Sequence, residues 1–203
     1  NPLKGIDEPV SIMAHIAVLG LGNWGSAIAR LWLLEGHKVK GWTIEQEVYE
    51  SITMEGMNHK YLSDHSLEGL EVTMHAEEAL DGSEIIVLAV PSSVILNVVE
   101  DIIPHLRPGH VLLDLAKGLA PGKRLISEAI HQMLKEKNMH NPLAVLTGPT
   151  IAPEAAGGVM TTALVASEDM SVAENLASTL TTPTFILHAA SDPAGAVLWG
   201  AFK

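Results

Sequence analysis

Gly20, Gly22 and Gly25 stand in G-x-G-x-x-G spacing within the run His-Ile-Ala-Val-Leu-Gly-Leu-Gly-Asn-Trp-Gly-Ser-Ala. That spacing alone is a weak signal, and it gains weight from the apolar strand pattern before it and the helical pattern after it. In such a setting Gly20 permits a tight turn, Gly22 lets the backbone approach a pyrophosphate, and Gly25 lets helix and strand pack closely. The helix start then offers unpaired N–H groups to the anion. The chemistry implied is capture of a dinucleotide.

A dinucleotide site that prefers the unphosphorylated cofactor carries an acidic residue about 20 residues beyond the turn, where it accepts from the adenosine ribose. Thr43 and Ile44 occupy the expected end of the second strand, and Glu45 follows. A ribose acceptor and a solvated glutamate opening a helix are both open readings of Glu45. No arginine stands in this window to meet a 2′-phosphate. The cofactor is therefore NAD or NADP, with a lean to NAD.

Other chemistries fit poorly. The 10 histidines are scattered without H-x-x-x-H or H-E-x-x-H spacing, and there is no cysteine, so neither metal binding nor a disulfide framework is expected. Ser92 and Ser93 lack the context of a nucleophile elbow and read as helix caps. A net charge of −12 opposes nucleic acid or an anionic membrane as partner. The apolar runs, such as Ile85 to Val90, are far below the roughly 20 residues of a membrane helix. A small-molecule site in a cytoplasmic chain is the expectation.

The elements that must position the turn follow from periodicity. Short Val, Ile and Leu runs alternate with longer segments of helical period, the pattern of strands covered on both faces by crossover helices. Strands are expected near His15 to Leu19, Lys38 to Trp42, Leu70 to Met74, Glu84 to Val90, Val111 to Leu115, Leu143 to Leu146, Thr161 to Ala166 and Thr184 to His188. Helices are expected near Trp24 to Glu35, Gln46 to Gly56, Ser92 to Pro104, Lys123 to Lys137 and Ser171 to Leu180. In the third of these, Ile95, Val98, Val99 and Ile102 share one face. The fold class is α/β: a doubly wound, mostly parallel Rossmann sheet with flanking helices. With 203 residues the chain has room for one large domain and part of another.

Three short segments fall where predicted strands end, the edge at which open α/β sheets bind ligands. They are Val90-Pro91-Ser92, Lys117-Gly118-Leu119 and Gly148-Pro149-Thr150, the last followed by Ala152 and Glu154. Gly200-Ala201-Phe202-Lys203 closes the chain. Together with the turn and an Asn58-His59-Lys60-Tyr61-Leu62 segment, this ordered set resembles the bacterial-type NAD(P)-dependent sn-glycerol-3-phosphate dehydrogenases from His15 to Lys203. The resemblance implies hydride transfer between a nicotinamide cofactor and the pair sn-glycerol 3-phosphate and dihydroxyacetone phosphate, feeding glycerophospholipid synthesis. By position it implies cofactor contacts at Gly20, Gly22, Asn23, Trp24, Gly25, Lys117 and Ala152. Lys117, Gly148, Thr150 and Lys203 are implied as substrate contacts, with Lys203 matching the catalytic lysine.

The chemistry agrees with those roles. Oxidising a secondary alcohol as hydride leaves requires a base for the hydroxyl proton, and lysine can serve when burial or a nearby cation brings its pKa toward neutrality. Lys203 is thus the expected general acid/base, and Lys117 the expected stabiliser of the developing alkoxide and anchor of the substrate. Asn58 and Tyr61 read equally as a lid, or as a turn asparagine and a half-buried tyrosine.

The expected organisation is a tail over residues 1–14, a dinucleotide-binding domain over 15–190, and the start of a helical substrate domain over 191–203 whose remainder is absent. The residues that hold the substrate phosphate in the family would lie in that remainder. An apolar face that includes Val197, Leu198, Trp199 and Phe202 would be left open and would favour self-association into a homo-oligomer. Two other readings share the first domain: a related hydroxy-acid or sugar-acid dehydrogenase, and a dinucleotide-binding module without turnover.

Overall fold

The computed structural model describes residues 13–116, 119–120 and 124–201, with side chains through Leu198 at that end. Most of the expected tail lies outside this range. Ala14 already belongs to the core, donating its N–H to His37 Nδ1 at 3.0 Å. Burial lowers the pKa of His37, which keeps the ring neutral and able to accept that bond.

The chain runs β1 (His15–Leu19), α1 (Asn23–Leu34), β2 (Lys38–Trp42) and α2 (Gln46–Glu55). A short hairpin, β3 (Met57–Asn58) and β4 (Leu62–Ser66), comes next, then β5 (Glu71–Thr73), α3 (Ala76–Leu80), β6 (Ile85–Leu88) and α4 (Ile95–Ile102). The remainder is β7 (Val111–Asp114), α5 (Ile126–Glu136), β8 (Leu143–Thr147), α6 (Ala152–Ala156), β9 (Thr161–Ala166), α7 (Met170–Leu180), β10 (Phe185–Ala190) and α8 (Pro193–Ala201). Eight of the strands form one sheet in the order β10-β9-β8-β7-β6-β1-β2-β5. Every pairing in it is parallel except β8 with β9.

Alternation along the central strands produces the two covered faces. Ile16 and Val18 of β1 and Ile85 and Val87 of β6 join one cluster with Ile28 and Trp32 of α1 and Leu176 of α7. Ala17, Leu19, Ile86 and Leu88 face the other way, onto Ile95 and Val99 of α4 and Ile130 of α5. A period of 2 in strands meeting a period near 3.6 in helices is what doubly wound burial requires. Trp32 is wholly buried, and its indole N–H donates to Leu180 O at 3.1 Å, where α7 ends. The fold is the mostly parallel Rossmann-type sheet with flanking helices that the periodicity predicts.

Two local expectations fail for identifiable reasons. The α4 helix begins at Ile95 with Val94 as its N-cap and no side-chain cap, so neither Ser92 nor Ser93 caps it. The Pro91 carbonyl accepts from both Val94 and Ile95, so the backbone turn itself satisfies the helix start. Val197 was expected on an open face, but it packs beside Ala196 against Val145 and Ala166. Leu198 is exposed. The side chains of Trp199 and Phe202 lie outside the described residues.

Candidate functional site

From β1 the chain goes outward to β2 and β5, then crosses back to place β6 on the other side of β1. The glycine turn sits at this reversal, on the carboxyl edge of the strands, the place where open α/β sheets bind ligands. Its geometry is fixed by neighbours on both sides: Gly20 N–H donates to Trp42 O at 3.0 Å, and Ala89 N–H donates to Leu19 O at 2.8 Å. Gly20 has φ +107°, a conformation side chains rarely adopt, and a Cβ there would lie 2.8 Å from Ala89 O. At Gly25 a Cβ would fall 1.8 Å from Gly20 O. Gly22 is different, since a Cβ there meets nothing within 4 Å. One glycine of the set therefore faces open space at the first turn of α1, while Gly20 and Gly25 are required by the protein itself.

Asn23 is exposed at the start of α1. Trp24 is half-buried, and its ring meets Phe185 edge-on, with centroids 6.0 Å apart and planes at 77°. Packing is thus at least part of what Trp24 does. The α6 helix lies against α1, tied by Arg30 Nε to Ala156 O at 3.3 Å, which brings Ala152 to the same core surface as Trp24. Gly148 and Thr150 leave β8 on the carboxyl edge shared with the glycine turn. Gly148 is pressed onto β9, where a Cβ would lie 2.8 Å from the Ala163 Cβ. Lys117, Gly118 and Lys203 lie outside the described residues.

The strand that leads to Lys117 does carry a distinctive group. Asp114, the last residue of β7, is 2% exposed, and its Oδ1 accepts the Ala116 N–H at 2.8 Å. The bond orders the chain as it leaves the sheet. Burial pushes the carboxyl up to about 7, opposed only in part by that hydrogen bond. An unfolded aspartate titrates near ~3.9, so the folded chain retains a proton that the unfolded chain has lost. Stability from this group is full below about pH 4 and is lost as pH rises through about 7. Asp114→Asn should therefore match the parent near pH 4 and exceed it at pH 8 by roughly 2–4 kcal/mol. Denaturant unfolding at both pH values checks this, and an equal difference at both would contradict it.

The β3–β4 hairpin, absent from the expected elements, is the part of the site that periodicity missed. Asn58 is fully buried, and its Nδ2 donates to Leu21 O and to Ser26 Oγ, both at 2.9 Å. Its Oδ1 accepts the Tyr61 N–H at 3.1 Å. One side chain thus spans the glycine turn and the first turn of α1, and the lid reading of Asn58 gives way to a strut. Asn58→Ala would leave the Leu21 carbonyl and the Ser26 hydroxyl without this partner, at a cost of about 2–3 kcal/mol in stability. Thermal unfolding measures it, and an unchanged midpoint would contradict the strut.

Two further side chains of the hairpin converge on Glu45. Tyr61 OH donates to Glu45 Oε1 at 2.9 Å, and Lys60 Nζ to Oε2 at 2.5 Å. Lys60 also pairs with Glu47. The Lys60 hydrogen bond leads the causes that lower the Glu45 pKa, so Glu45 is ionised at neutral pH. It is fixed by partners, which replaces the picture of a freely solvated glutamate.

Comparison with known proteins points one way. Residues 15–173 match the profile of the family described as NAD-dependent glycerol-3-phosphate dehydrogenase N-terminus. The chain is 34% identical over 191 residues to a glycerol-3-phosphate dehydrogenase (NAD(P)+) of Syntrophotalea carbinolica, covering 93% of this chain and 57% of that protein. A protein of the same name from an Exiguobacterium species is 37% identical over 193 residues, covering 94% and 56%. Among solved structures, glycerol-3-phosphate dehydrogenase from Coxiella burnetii matches with a TM-score of 0.84 at 29% identity, covering 93% of this chain and 57% of that one. The chain thus spans a little over half the length of the relatives it matches.

Proposed function

Because the chain belongs to the family of NAD-dependent glycerol-3-phosphate dehydrogenases through their N-terminal region, we propose that it binds a nicotinamide dinucleotide at the glycine turn. We propose further that its protein interconverts sn-glycerol 3-phosphate and dihydroxyacetone phosphate by hydride transfer. The observation that carries the reading is the turn at the β1/β6 reversal, with Gly20 and Gly25 required by close approach and open space where a Cβ of Gly22 would stand.

In this reading the pyrophosphate lies over Gly22 and Asn23, against the N–H groups at the start of α1. Trp24, Gly25 and Ala152 shape the wall beside it. Gly148 and Thr150, which follow β8 on the same edge, meet the substrate. Lys117 contacts both cofactor and substrate, and Lys203 exchanges the hydroxyl proton. Residues 15–190 form the cofactor-binding unit, and 191–203 open the unit that completes the substrate site. The setting proposed is the cytoplasm, where the reaction supplies glycerophospholipid synthesis.

The test is a titration of NADH and NADPH into the purified chain, followed by an assay of their oxidation by dihydroxyacetone phosphate at neutral pH. Binding with turnover supports both halves of the proposal. Binding without turnover confines this chain to the cofactor half. No binding at millimolar cofactor overturns the reading.

A further inference from the structure

The strand that leads to Lys117 ends on a carboxyl whose bonding departs from the ladder around it. Along β7 the N–H groups alternate between the two neighbouring strands: Leu112 N–H donates to Pro142 O beside β8 at 2.8 Å, and Leu115 N–H to Leu88 O of β6 at 3.1 Å. Ala116 N–H is next on the β8 side, but it donates to Asp114 Oδ1 at 2.8 Å. A side chain thus takes the place of a β8 carbonyl, and a local bond of this kind turns a chain out of a ladder. The same stretch is tied to the glycine turn through β6. Leu88 O holds Leu115, and the next residue of that strand, Ala89, donates to Leu19 O immediately before Gly20.

Packing alone disfavours a carboxyl at this position, since Asp114 is buried and its ionisation costs stability above about pH 7. A residue that opposes the fold locally while standing at a ligand-binding edge is where a functional role is expected. We infer that Asp114 is a positioning residue, whose carboxyl oxygen captures the Ala116 N–H and so fixes the backbone from which Lys117 reaches the cofactor. The inference rests on the proposed contact of Lys117 with the dinucleotide. Lys117 directly follows Ala116, so a change in the direction of the Ala116 peptide is passed on without an intervening residue. Either protonation state of the carboxyl keeps an oxygen that can accept, so the tie holds on both sides of neutral pH. Without that acceptor Ala116 N–H must find another partner, and the chain leaves the sheet along a different path.

Calorimetric titration of NADH at neutral pH into the chain and its Asp114 variants tests the inference. Asp114→Val removes the acceptor and should weaken NADH binding about tenfold, the worth of one hydrogen bond. Asp114→Asn keeps an oxygen acceptor and should recover affinity to within about twofold of the parent. A cycle with Lys117→Ala separates positioning from a general loss of structure. In that background Asp114→Val should weaken NADH by less than about twofold, because the residue it positions is gone. Thermal midpoints verify folding of each variant, and Asp114→Ala, which adds no atoms, makes the same comparisons if Asp114→Val does not fold. Parental affinity in Asp114→Val, a loss in Asp114→Asn as large as in Asp114→Val, or the same loss with and without Lys117 would each overturn the assignment. Parental affinity in Lys117→Ala would overturn it too, by removing the contact it serves. Failure of the parent chain to bind NADH would instead remove the dinucleotide reading beneath both.

Discussion

Gly25→Ala is expected to abolish cofactor binding by breaking the turn itself. The added Cβ would sit 1.8 Å from Gly20 O and 3.2 Å from the Ala89 Cβ, so α1 must move away from β1 and β6. No flexible side-chain end is available to yield at the first of these contacts, which is backbone. Overpacking of a rigid site costs about 1–3 kcal/mol and occasionally more, and a backbone collision this short belongs at the upper end. Displacing α1 would also disturb the Trp32 bond to Leu180 O and the packing of Ile28. Gly22→Ala is the control: its Cβ enters open space, so the fold should survive while the methyl occupies the approach of the pyrophosphate. Thermal unfolding with NADH titration separates the two. A low midpoint for Gly25→Ala is expected, against a parental midpoint with lost affinity for Gly22→Ala. Parental affinity in Gly22→Ala would show that nothing binds over that glycine.

Where turnover follows NADH binding as proposed, Lys203→Ala should lower the rate of dihydroxyacetone phosphate reduction by about 10²–10⁴, the usual contribution of a positioned acid or base. Affinity for NADH should change by less than about twofold, because the proposed role concerns the hydroxyl proton alone. Lys117→Ala should weaken NADH binding as well as slow turnover, since contact with both cofactor and substrate is proposed for it. Steady-state kinetics beside NADH titration distinguishes the pair of lysines. If Lys203→Ala retained the parental rate, the base would have to be another group. If Lys117→Ala bound NADH normally, its role at the cofactor would be contradicted.

How much of this was legible in the sequence depended on which signal each element carries. The β1, β2 and β9 strands have the limits the sequence predicts, because each opens on a polar residue (His15, Lys38, Thr161) and stops before a glycine or a polar residue (Gly20, Thr43, Ser167). The α4 face of Ile95, Val98, Val99 and Ile102 is buried as its spacing required. Its start lies beyond both serines, since a serine near a helix end is only one way to satisfy the first N–H groups and Pro91 O supplies another. The β3–β4 hairpin gave no alternating apolar pattern: Leu62-Ser63-Asp64-His65-Ser66 is mostly polar and mostly exposed. The hairpin is held by Asn58 and by contacts to Glu45, and hydrogen bonds of that kind leave no trace in hydrophobic periodicity. The Asn58-His59-Lys60-Tyr61-Leu62 segment is family-like in the sequence, but the partners of Asn58, Leu21 O and Ser26 Oγ, lie more than 30 residues away and leave no sign in it.

The central claim is that the turn from Gly20 to Gly25 receives a dinucleotide at the β1/β6 reversal. Calorimetric titration of NADH into the chain and into Gly22→Ala tests it most directly. The account predicts saturable binding of one NADH per chain, weakened at least about tenfold by the added methyl while the thermal midpoint stays parental. No heat of binding at millimolar NADH, or equal affinity in the two proteins, would contradict it.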